Sequence, residues 1–467
     1  MSTLATTIEP RDQLTLALDR AAGARPIDGN RLEHYPDSPL AIDAMLAAVA
    51  AARRWVHLEN YIIRDDATGT RFADALIERA RAGVHVRVLY DALGSFGTSS
   101  RFWRRLTQAG AEVRAFSPLL TLRPFDLLAR DHRKLLVADG GWAMLGGLCI
   151  GDEWVGDPAR GRRPWRDTMV AVSGPAAAAF DGAFARIWSR TGAPLPPDEL
   201  DADPAPAGTS TVRAVEGVPG RARVYRAVEL LAASAAERLW ITDAYLIAPA
   251  PLYASLLDAA RSGVDVRLLV PGASDLPVLR TFTRVGYREL LRAGVRVYEY
   301  QGPMIHAKTM VVDRRWARVG SSNLNVSSLL TNYELDLTAE CEQLTEELAR
   351  QFRHDLASSS EIVLQPRRTP LPPRLVDAPV QEAGDTPHKR SGYELGAVAV
   401  VALRRVAGGL RRAIAATAAF GCVVVGGLLL LFPRVMSIAL AAGAFTLGLV
   451  FGLYALERRR TRDSDDG

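Results

Sequence analysis

At 467 residues, 48% hydrophobic and with 57 Lys+Arg against 52 Asp+Glu, the chain is too long for one ordinary domain and too apolar for a disordered one. The net charge of +5 invites a nucleic-acid or anionic-membrane partner only once the excess is located along the chain. Three cysteines, Cys149, Cys341 and Cys422, with no CxxC pair, exclude a disulfide framework and a zinc site as organising features.

From the amino end, residues 1–40 lack a basic start followed by an apolar run and predict no secretory signal. Residues 41–192 alternate Val/Ile/Leu-rich runs (WVHLENYII, VHVRVLY) with helical stretches such as RFADALIERARAG, which ends on Gly83, a helix stop signal. Residues 193–212, rich in Pro, Ala and Asp, read as a solvated linker. Residues 213–365 repeat the pattern: LWITDAYLI and VDVRLLV flank APLYASLLDAARSG, ending on Gly263. The repetition extends to sequence, since ARAGVHVRVL (80–89) recurs as ARSGVDVRLL (260–269), and QAGAEVRAF (108–116) as RAGVRVYEY (292–300). Strands alternating with helices predict α/β layers in two copies. A Pro-rich linker, 366–400, follows. The last segment, 401–467, holds two uncharged runs at 413–432 and 438–456, each long enough at about 1.5 Å per residue to cross a bilayer. Arginines on both outer flanks and only Arg434 between the runs predict a transmembrane hairpin with cytoplasmic ends.

The chemistry concentrates in one repeated frame. His132-Arg-Lys134-Leu-Leu-Val-Ala-Asp139 and His306-Ala-Lys308-Thr-Met-Val-Val-Asp313 are both HxKxxxxD, each followed seven residues later by a glycine, Gly146 or Gly320. The chain has only three lysines, and two of them occupy these matching places; the third is Lys389. Residues i and i+2 of a strand share a face, so each motif is expected to present His and Lys together while its Asp ends the strand. Two copies across a pseudo-twofold axis would assemble two imidazoles and two ammonium groups into a phosphate site that needs no metal or other cofactor. One imidazole would attack phosphorus and the other protonate the leaving alcohol, with the ammonium groups countering charge on the non-bridging oxygens.

The paired motifs, with GGLCIGDEW after the first, GSSNLNVSSLLTNYE after the second and WRDTMVAVSGPA at 165–176, resemble the phospholipase D superfamily. The segments ENYIIRDDATGTRFADALIERARAGVHVRVLYDALGS and DAYLIAPAPLYASLLDAARSGVDVRLLVPGASD resemble its bacterial cardiolipin synthase branch, and the match covers about Ile42 to Pro373. The resemblance implies two homologous αβαβα sandwich halves with the active site between them. It implies His132 as nucleophile, His306 as general acid, Lys134 and Lys308 on the phosphate, and Asp139 and Asp313 orienting groups in the site. Asn323 matches the family's phosphate-contacting Asn, with Ser321 and Gly147 as neighbouring substrate contacts. Glu153 and Glu334 follow the motifs at family-like positions, to hydrogen-bond the opposing imidazoles or to lie on the surface. The implied reaction moves a phosphatidyl group between two phosphatidylglycerol molecules and releases glycerol. The chain departs from the family at Cys149, where the first copy usually has Asn, and in carrying its hydrophobic segments after the catalytic halves.

His34, His57, His85, His354 and His388 lack the lysine partner and the register and read as surface or packing residues; Cys149 reads as a small strand-end residue. Asp91 is open between a pocket rim and a turn, and Arg162, Arg163 and Arg166 between headgroup contacts and solvated cations. Against the transferase stand a phospholipid hydrolase of the same chemistry, a nuclease, and a non-catalytic lipid-binding scaffold. Residues 388–467 hold eleven Lys+Arg and five Asp+Glu, so the positive excess sits in the tail and the rest of the chain nets −1. That placement predicts a membrane partner and no nucleic acid.

Overall fold

The computed structural model describes residues 13–118, 129–275 and 277–364, apart from the side chains of residues 158 and 277–282. The segments expected at 366–400 and 401–467, with the hairpin runs 413–432 and 438–456, lie outside the described residues. Among the described residues no helix is long and apolar enough to cross a membrane.

In the first half the strands are β1 (Ile27–Tyr35), β2 (Trp55–Asn60), β3 (His85–Asp91), β4 (Glu112–Phe116), β5 (Lys134–Ala138), β6 (Trp142–Gly146) and β7 (Met169–Ser173). Its helices are α1 (Gln13–Ala22), α2 (Ser38–Ala51), α3 (Ala67–Arg81), α4 (Ser100–Gln108), the single turn α5 (Asp152–Val155) and α6 (Pro175–Trp188). The second half has β8 (Ser210–Gly217), β9 (Arg238–Thr242), β10 (Asp265–Pro271), β11 (Arg296–Tyr300), β12 (Thr309–Val312), β13 (Trp316–Gly320), β14 (Glu334–Glu340) and the edge strand β15 (Ser359–Ile362). With them go α7 (Arg223–Ser234), α8 (Ala250–Arg261), α9 (Pro277–Arg292), the short α10 (Val326–Leu330) and α11 (Glu342–Leu356).

The repeat read from sequence is a repeat of topology. The first half runs β1-β7-β6-β5-β2-β3-β4 and the second β8-β14-β13-β12-β9-β10-β11, with β15 added at the edge; β1 and β8 pair antiparallel and join the two into one sheet. In each half three parallel strands (β2, β3, β4; β9, β10, β11) adjoin an antiparallel group. Helices α3 and α8 stop where expected, because Gly83 and Gly263 take the left-handed conformation at φ +87° and +89°. On one face of the first half, Ile42, Met45, Phe72 and Leu76 cover Val56, Leu58, Val86 and Val88. On the other, Phe180, Phe184 and Trp188 of α6 share a single core with Leu344, Leu348 and Phe352 of α11 and with strand residues of both halves, among them Val137, Val172, Val319 and Leu337. Each half is therefore helices, sheet, helix. The five-layer alternation expected of each half belongs to the two halves jointly, because α6 and α11 bury their apolar faces in one common layer.

Two expected boundaries shift. Strand β1 falls inside the 1–40 segment, yet it pairs with both β7 and β8 and is the join itself. The 193–212 linker is anchored: Glu199 is 1% exposed and takes Arg87 and His57 as partners, and β8 begins at Ser210. A carboxylate buried with a guanidinium and an imidazole costs less than one left alone.

Asp139 and Asp313 are also not where the site needs them. Each follows the last residue of its strand, in the left-handed conformation at φ +52°. Asp139 accepts from the backbone N–H groups of Arg53, Arg54 and Trp55, and Asp313 from those of Ala236, Glu237 and Arg238. They clamp the turn to the start of the adjacent strand, β2 or β9, instead of orienting groups at the histidines, since seven residues of mostly extended chain carry them roughly 20 Å away. Asp139→Ala is expected to cost about 2–4 kcal/mol of stability by freeing three backbone donors. Turnover by the folded fraction should stay within about twofold; denaturant unfolding alongside kcat separates the two effects.

Candidate active site

The site is assembled where each motif begins. His132 lies just before β5 and His306 just before β12, and both are held by the other half. The backbone N–H of His132 donates to Tyr333 O (2.9 Å), and that of His306 to Arg166 O (2.7 Å). The side chains cross in the same way: His132 Nδ1 is 3.0 Å from Glu334 of the second half, and His306 Nδ1 is 2.8 Å from Asp167 Oδ2 of the first. Lys134 and Lys308 donate their ammonium groups to the carbonyl oxygens of His132 and His306. Each lysine also bears electrostatically on the imidazole of the opposite half, so the four groups form one cluster.

The carboxylates are buried and heavily fixed. Asp167 accepts from His306, Trp154 Nε1 (3.0 Å) and the backbone of Thr168 (2.8 Å). Gly147 makes room for it, because a Cβ there would stand 2.2 Å from Asp167 Oδ1. Glu334 accepts from His132, from Ser321 Oγ (2.5 Å) and from Ser328 Oγ. Ser321 and Gly147 thus serve the carboxylates in this structure. Asn323, 4% exposed, has a buried Oδ1 without a partner among the described residues, and its N–H donates to Ser328 Oγ. Glu153 does not reach an imidazole: it lies beside Arg64 at 3.4 Å, half-exposed. Asp167 takes the place expected of it, since the strand that enters from the other half at His306 is β7, not the turn α5.

Burial lowers both imidazoles. His306 falls to about 4, with Lys308 adding repulsion against the opposing pull of Asp167; His132 is lowered by burial while Glu334 works against the shift. Despite their own burial, Asp167 and Glu334 remain below the usual carboxylate range, held there by the imidazoles and lysines facing them. An ionised carboxylate only accepts, so each Nδ1 carries the hydrogen and each Nε2 keeps its lone pair. Burial also brings Lys308 down to about 8, and raises the neighbouring Asp243 to about 6 although the backbone N–H groups of Leu324 and Tyr245 donate to it.

Sequence reading missed several contributors. Tyr61 stacks edge-on to His132 (4.8 Å) and Tyr245 to His306 (6.0 Å), occupying matched places in ENYII and DAYLI. Trp154 and Trp165 pack on His306. Alignment of RDTMVAV with YELDLTA within the repeat holds the signal for Asp167 opposite Glu334. Asp91 resolves as a turn former: buried, it takes the N–H groups of Leu93 and Gly94 (2.9 Å each), the N–H of Asp131 and the Arg130 guanidinium. Arg166 is a tie across the seam, bound through its guanidinium to Asp355 at 3.1 and 2.9 Å, while Arg162 and Arg163 are exposed. His57 is fully buried between Asp181 (2.6 Å) and Glu199 (3.3 Å). Cys149 is 1% exposed; burial pushes its thiol up and it stays neutral.

Behind His132, Glu59 and Asp131 lie against each other, fully buried, and among the described residues neither oxygen of Glu59 nor Asp131 Oδ2 receives a donor. Burial raises Asp131 to about 7 and Glu59 well above its usual range. A carboxyl raised on folding stabilises the fold fully below its unfolded value near 4, and that contribution is lost as pH rises through the folded value. Thermal stability is therefore expected to fall from pH 6 to pH 8, and Glu59→Gln to flatten the fall. An unchanged slope in that variant would refute a proton shared by the pair.

Two α/β halves that cross-brace a pair of His-Lys motifs define a phosphodiester-processing site of the phospholipase D type. The family model described as "Cardiolipin synthase, PLD-like domain" matches residues 45–188 and 229–356, and the chain belongs to that family. Cardiolipin synthase A of Pseudomonas aeruginosa PAO1 is 35% identical over 357 residues, covering 76% of this chain and 72% of the relative. Cardiolipin synthase of Geobacillus thermodenitrificans is 34% identical over 343 residues, covering 72% and 68%. Among solved structures, phosphatidylserine synthase of Haemophilus influenzae shares the fold at TM-score 0.60 and 14% identity, over 75% of this chain and 92% of that one.

Proposed function

We propose that the protein is a cardiolipin synthase-like phosphatidyltransferase, which moves a phosphatidyl group from one phosphatidylglycerol to another and releases glycerol. The observation that carries this reading is the crossed bracing of His132 by Glu334 and of His306 by Asp167 around two buried lysines. Family membership supports it.

The lone pair on His132 Nε2 attacks phosphorus, the P–O bond to glycerol breaks, and the departing oxygen takes a proton from His306 Nε2. Burial leaves His306 neutral near pH 7; the phosphodiester anion seated beside it supplies the negative charge that favours its protonation. In the second step His306 takes the proton of the incoming hydroxyl, whose oxygen attacks phosphorus as the P–N bond breaks and His132 is restored. Lys134, Lys308 and Asn323 would hold the non-bridging oxygens. Cys149 stands at the position matching Asn323 and offers only a weak donor. Cys149→Asn is accordingly expected to raise kcat/KM by about tenfold, the worth of roughly 1.4 kcal/mol from a hydrogen bond to a charged group. An unchanged or lower value would remove that position from phosphate binding.

The apolar runs at 413–432 and 438–456 and their arginine flanks support a cell-membrane location with the catalytic halves on the cytoplasmic side. The full chain in micelles with phosphatidylglycerol alone is expected to yield cardiolipin and glycerol. Phosphatidic acid as the sole product would make the protein a hydrolase, and no turnover of any phosphodiester a lipid-binding scaffold.

A further inference from the structure

The turn between β3 and α4 exposes two large apolar side chains at the site's edge. Phe96 is 69% and Leu93 49% exposed, three residues apart on one turn. They are not loose. Asp91 takes the N–H groups of Leu93 and Gly94, Ser95 N–H donates to Asp91 O, and Phe96 N–H to Leu93 O. Gly94 sits so close on Tyr61 that a Cβ would stand 2.8 Å from its ring, and Ser95 Oγ donates to Tyr61 O. Tyr61 in turn covers His132 and lies 5.1 Å from the Lys134 ammonium. The same Asp91 binds Arg130 and the N–H of Asp131, next to His132. The turn is thus packed through Gly94 and Ser95 against the wall that carries Tyr61, and it holds Leu93 and Phe96 outward, away from the catalytic groups.

Charge accompanies the apolar pair. Helix α4 follows directly; its sequence SRFWRRLTQ has three arginines and no acid, and while Arg105 pairs with Asp74, Arg101 and Arg104 are exposed without an ion pair among the described residues. In the second half, α9 is the topological counterpart of α4, and it carries Val285 at 77% exposure.

We infer that this turn docks on the surface of an anionic phospholipid bilayer: Leu93 and Phe96 enter the boundary between headgroups and acyl chains, Arg101 and Arg104 meet headgroup phosphates, and substrate passes over Tyr61 to His132. An apolar tip flanked by unpaired cations suits that boundary and no aqueous partner of neutral charge. The inference rests on the phosphatidyl-transfer reading only for the substrate's path; docking itself needs no turnover.

The test uses the full chain in phosphatidylglycerol vesicles containing acyl chains dibrominated near the headgroup. Phe96→Trp is expected to show quenching beyond that of the unsubstituted protein, and Ala82→Trp, exposed at the opposite end of β3, none. Leu93→Ser with Phe96→Ser should slow transfer in vesicles by roughly tenfold while leaving turnover of monomeric short-chain phosphatidylglycerol unchanged. If the indole introduced by Phe96→Trp is unquenched by bromolipid and open to iodide, the inference is overturned; an indole there shielded from both overturns it in favour of a contact between copies of the chain. Equal loss on both substrates also overturns it, as a fault of the wall and not of docking. If that indole is quenched by bromolipid while the unsubstituted protein turns over neither lipid, the transfer reading fails and the docking surface stands.

Discussion

His132→Ala is expected to abolish phosphatidyl transfer, with a loss of about 10⁴-fold or more, because it removes the imidazole assigned to attack phosphorus. His306→Ala should lose about 10²–10⁴-fold, the worth of a positioned general acid. Leaving-group dependence tells the two apart. A phosphodiester with a nitrophenol leaving group departs without a proton, so His306→Ala should regain covalent labelling of His132 with that substrate, whereas His132→Ala should not label at all. Trapping the protein–phosphorus adduct under acid quench reads this directly. Retention of a tenth of the activity by His132→Ala, or rescue of that variant by the better leaving group, would reverse the assigned roles.

The second large effect concerns the carboxylate behind the acid. Asp167→Asn is expected to lower kcat by about 10²–10³-fold, because an amide can present a donor to His306 Nδ1 and favour the tautomer with its hydrogen on the wrong nitrogen. Asp167 is fully enclosed by Trp154, Thr168 and His306, so the variant keeps the packing and changes the proton. Glu153→Gln should stay within about twofold, since among the described residues its carboxylate pairs only with Arg64, both side chains being partly exposed, where such pairs contribute little. KM should change less than kcat in Asp167→Asn. If Glu153→Gln fell as far as Asp167→Asn, the crossed bracing would not be the catalytic arrangement.

Much of the fold was legible in local signals. The duplicated segments gave the two halves, and Gly83 and Gly263 marked helix ends that the structure keeps, because a left-handed residue is a property of a few adjacent positions. The His and Lys of each motif were legible for the same reason: two residues apart in extended chain, they must share a side. Strand spacing also held the answer for Asp139 and Asp313, which sit at the far end of a five-residue run and clamp backbone N–H groups there. The analogy with a motif obscured that arithmetic.

Other residues had no local signal. His57 is a lone histidine in sequence, and its partners come from α6 and from a segment that composition marked as solvated linker. Glu199 is drawn inside by Arg87 and His57, a pairing that no linker composition reveals.

The sequence by itself determined that there are two copies, that each offers one His and one Lys to a shared cluster, and that the positive excess lies in the tail. Only the tertiary structure decided which carboxylate faces which imidazole. Asp167 is 139 residues from His306, and Glu334 is 202 from His132; each pair meets because β1 and β8 join the halves and bring each motif against the strand entry of the other. Local chain geometry fixes what a motif can present, but the proton state of what it presents is set by charges and burial that arrive from the opposite half.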